Sequence, residues 1–193
     1  MTTDEKVENW FVPLSTTDLT LQQAHSQLDE FGLEQEDVPL IIQLVENPKY
    51  DLPGFDIFHG ATNLDTHDYI HILLGRGVMI KDEAFVLGFT MGSSNRVTTT
   101  EERIFSFLTK YIYPKNYQFT DQDLDVFKDA VRLGFISDCQ SLAKVDYKKY
   151  IEWPVQKIRD EIGVEVDLLK AYYAIEAKRY PHLKECTRNL IGF

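Results

Sequence analysis

The residues of this chain best placed to do chemistry are His67, Asp68 and His71, followed by Glu83. On a helix, at about 100° per residue, His71 lies about 40° from His67, and Asp68 lies about 100° from it. Ile70 and Leu74 continue that side as an apolar stripe. Two imidazoles one turn apart can reach a single cation. Imidazole together with carboxylate suits Zn²⁺, Fe²⁺ or Mn²⁺. Glu83 follows His71 by twelve positions, with Gly75 and Gly77 between them. Those glycines let the chain reverse, which would set Glu83 in the first turn of an antiparallel helix, facing the histidines. The expectation is one divalent metal ion held by His67, Asp68, His71 and Glu83. The plainer reading is that the histidines are partly exposed or singly satisfied, and that Asp82 and Glu83 are first-turn acids favoured by the helix dipole. Arg76, beside the motif, reads as a solvated loop side chain or as a contact for an anionic head group.

The elements that must position these groups read as helices. Thr17 or Asp18 can cap a segment with Leu21, Ala24, Leu28 and Phe31 on one face, ended by Gly32. Pro39 suits a first helical turn, before the stripe Leu40, Ile41, Leu44 and Val45. Residues 48–65, rich in Pro, Gly, Asn and Asp, read as a loop. The histidine helix then runs from about Thr66 to Leu74, and the Glu83 helix from about Lys81 to Gly92. The latter is apolar nearly all round and so central, with Gly88 and Gly92 allowing close approach of a neighbour. Thr98 to Glu101 and Thr99 to Glu102 form overlapping capping boxes for a helix that ends before Pro114. Thr120 opens another helix, ending at Gly134. Pro154 interrupts the segment that follows Ser137. A short helix reaches Gly163, Asp167 caps the last long one, and Pro181 opens a final turn. Period-two alternation is nearly absent. The expected fold is all-α: a single domain over residues 1–193, of about eight helices, with the metal site between two antiparallel helices.

Composition bounds the function from the other side. The chain has 193 residues, 44% of them apolar, which suffices for a core without staples. A net charge of −11 repels phosphate backbones, so nucleic acid is not expected as a partner unless the charge is very unevenly placed, and anionic membrane surfaces should repel the chain too. Cys139 and Cys186 match no metal or redox spacing and read as packed thiols. No secretory signal is visible and no apolar run approaches the roughly 20 residues that span a bilayer. The expected location is cytoplasmic. Peripheral contact with the inner face of the membrane and oligomerisation are left open.

The pattern His-Asp-x-x-His, eleven residues, then Glu resembles the signature of the fourth coenzyme Q (ubiquinone) biosynthesis protein and its bacterial relatives, and His67, Asp68, His71 and Glu83 match it position by position. Further on, Ala130 to Gly134, Leu142, Val145-Asp146-Tyr147 and Ile158-Arg159-Asp160-Glu161-Ile162-Gly163-Val164 resemble that family's closing segment. The resemblance covers roughly residues 55–165. The stretch Asn63 to Thr66 lacks an arginine-containing lead-in found in eukaryotic members, and the helix after Asp167 has no counterpart.

The resemblance implies a metal-dependent, prenyl-lipid-binding protein of ubiquinone synthesis. The metal is commonly taken as zinc, with iron, manganese and magnesium as alternatives. It implies an apolar channel for an isoprenoid tail, which Phe85, Phe89, Phe105, Phe107 and Tyr111 would line unless they are ordinary core. It implies a prenylated hydroxybenzoate or another isoprenoid lipid as ligand, with replacement of the C1 carboxyl by hydroxyl, and other quinone-biosynthesis enzymes as partners. Two alternatives stand beside it. One is a non-catalytic lipid-binding scaffold, which needs the same donors. The other is a His-Asp type metal phosphohydrolase, for which His59 and Asp121 or Asp123 would supply further ligands.

Overall fold

The computed structural model describes residues 9–29 and 62–188. Those residues form eight α-helices and no strand, apart from one isolated bridge between Thr20 and Pro154. The expected all-α class is therefore the observed one. The stripe after Pro39, together with Phe31, Gly32 and His59, lies outside the described residues.

Helix α1 (Leu21–Asp29) starts later than Thr17 or Asp18 would place it. Thr20 caps it through reciprocal bonds with Gln23 of 3.0 and 3.2 Å. The reason is tertiary. The first free N–H groups of the helix, on Leu21 and Gln22, donate to the carbonyls of Trp153 and Ile151 at 3.1 and 3.0 Å. Helix α2 (Leu64–Leu74) begins two residues before Thr66, because Asn63 accepts the Thr66 N–H at 2.9 Å. The segment 48–65 is thus not loop to its end.

Helix α3 (Ile80–Ser93) is buried along most of its length. Helix α4 (Thr99–Phe107) uses the first of the two capping boxes, Thr98 with Glu101, and continues as a π-turn from Leu108 to Ile112. Helix α5 (Asp121–Ile136) is capped by Thr120 with Asp123 and runs past Gly134. Two 3₁₀ turns, Leu142–Lys144 and Tyr147–Tyr150, fill the segment before Pro154. Helices α6 (Val155–Ile162), α7 (Val166–Arg179) and α8 (Lys184–Thr187) complete the order.

The backbone of the fold is the pair α3 and α5. A Cβ on Gly88 or Gly92 would collide with the carbonyls of Phe127 and Val131, and one on Gly134 with the carbonyl of Phe89. The two helices therefore touch main chain to main chain, at a distance only glycine permits. Val86 and Phe89 of α3 join α2 and α5–α7 in the larger apolar cluster. Ala84 and Met91 face a second cluster with Phe105, Phe127 and Val131. Cys139 and Cys186 are free and buried, as two packed thiols should be.

Candidate metal centre

The last turn of α2 leaves its carbonyls without intrahelical partners. Gly75 turns the chain at φ 68°, and the N–H of Arg76 returns to the carbonyl of His71 at 3.0 Å. The next carbonyls are captured from far along the sequence. Arg159, fully buried, donates to Ile72 at 3.1 Å and Leu73 at 2.9 Å, and also to Leu14 at 3.2 Å. Tyr173 donates its hydroxyl to Leu74 at 2.6 Å. Burial lowers the Arg159 guanidinium to about 10, so it stays cationic at neutral pH against a ring of carbonyls. This is the work of the arginine in the second sequence motif. It fixes the helix that carries the histidines.

Across the turn 75–79, α3 runs back beside α2. His67 Nε2 lies 2.9 Å from Glu83 Oε2, and His71 Nε2 lies 3.3 Å from Glu83 Oε1. The two Nε2 atoms are 2.9 Å apart, with ring centroids at 4.6 Å. His67, His71 and Glu83 each offer one ligand atom, all within 4.8 Å of one another, so the three could hold one metal ion. Burial pushes the Glu83 carboxyl up, but the imidazoles of His71 and His67 outweigh it and hold the group far below the usual carboxylate range.

The tautomer of His71 follows from its other nitrogen. Nδ1 sits 2.6 Å from the carbonyl of Gly77. A carbonyl only accepts, so Nδ1 carries the proton and a neutral ring turns the lone pair of Nε2 toward Glu83. That is the arrangement by which metal-binding histidines are oriented and kept basic. The sequence offers Gly77 only as a residue that lets the chain reverse. Its contribution is a carbonyl oxygen, which no residue-type pattern could have revealed.

Asp68 does not join the group. Its carboxylate faces His25 of α1, with Oδ2 3.5 Å from Nε2, and the His25 ring packs on Tyr69 at 4.9 Å. The 100° step from His67 carries Asp68 round to the α1 side of the helix, so the structure brings together three of the four expected ligands.

Arg76 is neither solvated nor turned to a head group. It is fully buried, bonded through both terminal nitrogens to Glu176 (3.0 Å for Nη1) and flanked by the rings of Phe85 at 4.0 Å and Tyr173 at 4.1 Å. Burial alone would lower its pKa, but Glu176, Tyr173 and Asp82 raise it well above its ordinary value. Asp82 is likewise more than a first-turn acid. It accepts the Met79 N–H at 3.1 Å and pairs with Arg188 and, at 3.7 Å, with Arg76. The guanidinium of Arg188 also lies where a Cβ on Gly77 would be. One side chain after α8 thus presses on the loop that orients His71 and holds the start of the helix that presents Glu83. Glu176 and Arg188 belong to the region that matched nothing in the sequence reading, and a hundred residues separate Arg76 from its partner.

The five aromatics proposed for a channel occupy three settings. Phe85 and Phe89 stack with each other and Phe85 with Tyr172, in the larger cluster. Phe105 stacks on Phe127 at 5.0 Å in the second cluster. Phe107 and Tyr111 are exposed. They share no common lining. The phosphohydrolase ligands fare no better: Asp123 is buried against Lys81 at 2.6 Å, and Asp121 pairs with Lys110.

Comparison with family models, with curated proteins and with solved structures returns no match for this chain. The site therefore stands on its own geometry. Among the described residues, no helix is long and apolar enough to cross a membrane.

Proposed function

We propose that this protein binds a divalent metal ion through His67, His71 and Glu83, and that it serves prenylated-quinone synthesis, as the motif's resemblance implies. The observation that carries the metal reading is the convergence of two imidazole nitrogens and one carboxylate, with the His71 ring oriented from behind by the Gly77 carbonyl. Without an ion or a shared proton, such a cluster sets one lone pair against another. Three protein donors leave coordination positions for water or substrate, the pattern of catalytic rather than structural sites. A bound ion would supply Lewis acidity toward a carboxylate or hydroxyl of the ligand, or activate a water. The chain's own part is to present neutral imidazoles, to add one negative charge, and to keep the site rigid through Arg159 and Arg188. The quinone assignment rests on the match of His67, Asp68, His71 and Glu83 to the family spacing.

The test is metal analysis of the purified protein, with mass spectrometry of lipid extracted from the same sample. About one ion per chain and a co-purifying prenyl lipid support the full reading. An ion without lipid supports the metal half alone. If the double variant His67→Ala, His71→Ala stays folded and keeps full metal occupancy, the site is wrong.

A further inference from the structure

Helix α8, Lys184–Thr187, has four residues, too few to persist without tertiary anchors. Leu183, Cys186 and Arg188 anchor it. Cys186 is fully buried in the larger apolar cluster, and Leu183 packs against that cluster. Arg188, also buried, reaches the reversal between α2 and α3. There its guanidinium meets two groups that each adjoin a candidate ligand. Nη2 donates to Oδ2 of Asp82, the residue before Glu83. The same nitrogen lies against Gly77, where a Cβ would stand, and the Gly77 carbonyl accepts from His71 Nδ1 at 2.6 Å. Asp82 is wholly buried. Besides Arg188, its carboxylate has the Met79 N–H at 3.1 Å and Arg76, whose Nη1 is 3.7 Å away, beyond hydrogen-bond reach. Undocking α8 would take the close partner from a buried charge, which an interior tolerates poorly. The first turn of α3 would then shift, and Glu83 with it.

We propose that α8 is a clasp coupled to the metal centre: its docking through Arg188 raises the affinity for the ion, and the bound ion in turn holds α8 closed on the turn 75–79. This rests on the reading that His67, His71 and Glu83 hold an ion, and it adds a regulated element to that site. An ion that fixes His71 and Glu83 also fixes the Gly77 carbonyl and the first turn of α3, the two surfaces on which Arg188 sits. The coupling is therefore reciprocal. Whatever factor α8 docking contributes to metal affinity, the metal contributes to the docking equilibrium. Short elements held by few side chains open at lower cost than a core such as the α3 and α5 pair. Pro181, His182 and Lys184 are exposed, so lifting α8 mainly frees Leu183, Cys186 and Arg188. A brace that only stabilised the fold would have no such two-way dependence.

The experiment is hydrogen–deuterium exchange of the full chain, with and without Zn²⁺, beside chelator competition for affinity. In the wild type, Zn²⁺ should slow exchange of the Cys186, Thr187 and Arg188 amides, which bond to the Leu183 and Lys184 carbonyls, by roughly tenfold or more. The α4 amides report stabilisation of the whole fold, and the slowing at α8 should exceed theirs. Arg188→Gln should weaken Zn²⁺ binding by roughly 10–100-fold and abolish the extra slowing at α8. Leu183→Ala leaves the ion pair in place; it should speed α8 exchange and weaken binding too, and it decides the matter where Arg188→Gln fails to fold. Arg179→Gln, which removes the exposed pair with Asp129, should bind like the wild type. A wild type that binds Zn²⁺ through His67 and His71, but whose α8 amides slow no more than those of α4, overturns the coupling and leaves the centre standing. Wild-type affinity in a folded Arg188→Gln, or in a Leu183→Ala protein whose α8 exchanges faster, overturns it too, as does an equal loss in Arg179→Gln. A wild type that binds neither Zn²⁺ nor Mn²⁺ overturns the centre and the coupling with it.

Discussion

Replacing Glu83 by glutamine tests the centre at its one anionic ligand. The carboxylate bridges both histidines, at 2.9 Å from His67 and 3.3 Å from His71. The amide keeps the shape and one acceptor oxygen but loses the charge. In the metal-free protein the change exchanges a charge-assisted hydrogen bond for a neutral one, a difference of about 1 kcal/mol. For a chain of this length that lowers Tm by roughly 2–4 °C. With metal the loss is larger. Altering a group that merely supports a ligand typically costs 10–100-fold in affinity, or about 1.4–2.7 kcal/mol, so removing the anionic donor itself should cost at least that. The assay is competition with a calibrated chelator for Zn²⁺ and for Mn²⁺, with Tm recorded in each state. Asp68→Asn is the comparison, because Asp68 faces His25 and should leave affinity within about threefold of wild type. Asp82→Asn cannot serve, since Asp82 holds Arg188 and caps α3. Unchanged affinity in Glu83→Gln refutes the three-residue centre. Equal losses in Glu83→Gln and Asp68→Asn would restore the four-ligand arrangement read from the spacing.

Metal binding should release protons and weaken on acidification, because an imidazole ligates only through a deprotonated nitrogen; a chelator series across pH measures it. In the metal-free protein the depressed Glu83 carboxyl adds stability that is fully present above the unfolded value of about 4.3 and is lost as pH falls toward its lower folded value. Acid melting curves of wild type and Glu83→Gln should therefore converge below about pH 4. Gly77→Ala would drive a methyl into Arg188 and to 2.5 Å from the Trp10 carbonyl, displacing the oxygen that orients His71. It should cost about 1–3 kcal/mol of stability and roughly 10–100-fold in metal affinity, and wild-type affinity would show that the Gly77 carbonyl has no part. Arg159→Met strands the carbonyls of Ile72, Leu73 and Leu14, so unfolding by denaturant should show a loss of about 3 kcal/mol or more.

What the sequence made legible was local. The 3.6-residue period placed His67 and His71 on one arc, and Gly75 with Gly77 announced the reversal that returns Glu83 to them. Capping chemistry placed the start of α5 at Thr120 and narrowed that of α4 to two overlapping boxes, of which Thr98 with Glu101 is the one used. It failed at α1, where the carbonyls of Ile151 and Trp153 set the start, because those bonds join segments about 130 residues apart. The same limit hid the supports of the site. The burial of Arg76 depends on Glu176, the role of Asp82 on Arg188, and the direction of Asp68 on a histidine in α1. In each case the partner lies where no spacing rule reaches. The aromatics were miscast for a related reason: a pattern of large rings does not tell a lining from a packed core or an open face.

The capture of the α2 carbonyls by Arg159 and Tyr173 also sets a schedule for biosynthesis. The ligand residues leave the ribosome well before the groups that hold them still, since Arg76 and Glu176 are 100 residues apart. At ordinary elongation rates that interval is roughly 5–20 s. Through it the nascent chain has both histidines and Glu83 but neither Arg159's grip on the helix end nor Arg188's hold on the turn. Rigid positioning of the three side chains thus becomes a late event, reached only once synthesis has passed Arg188.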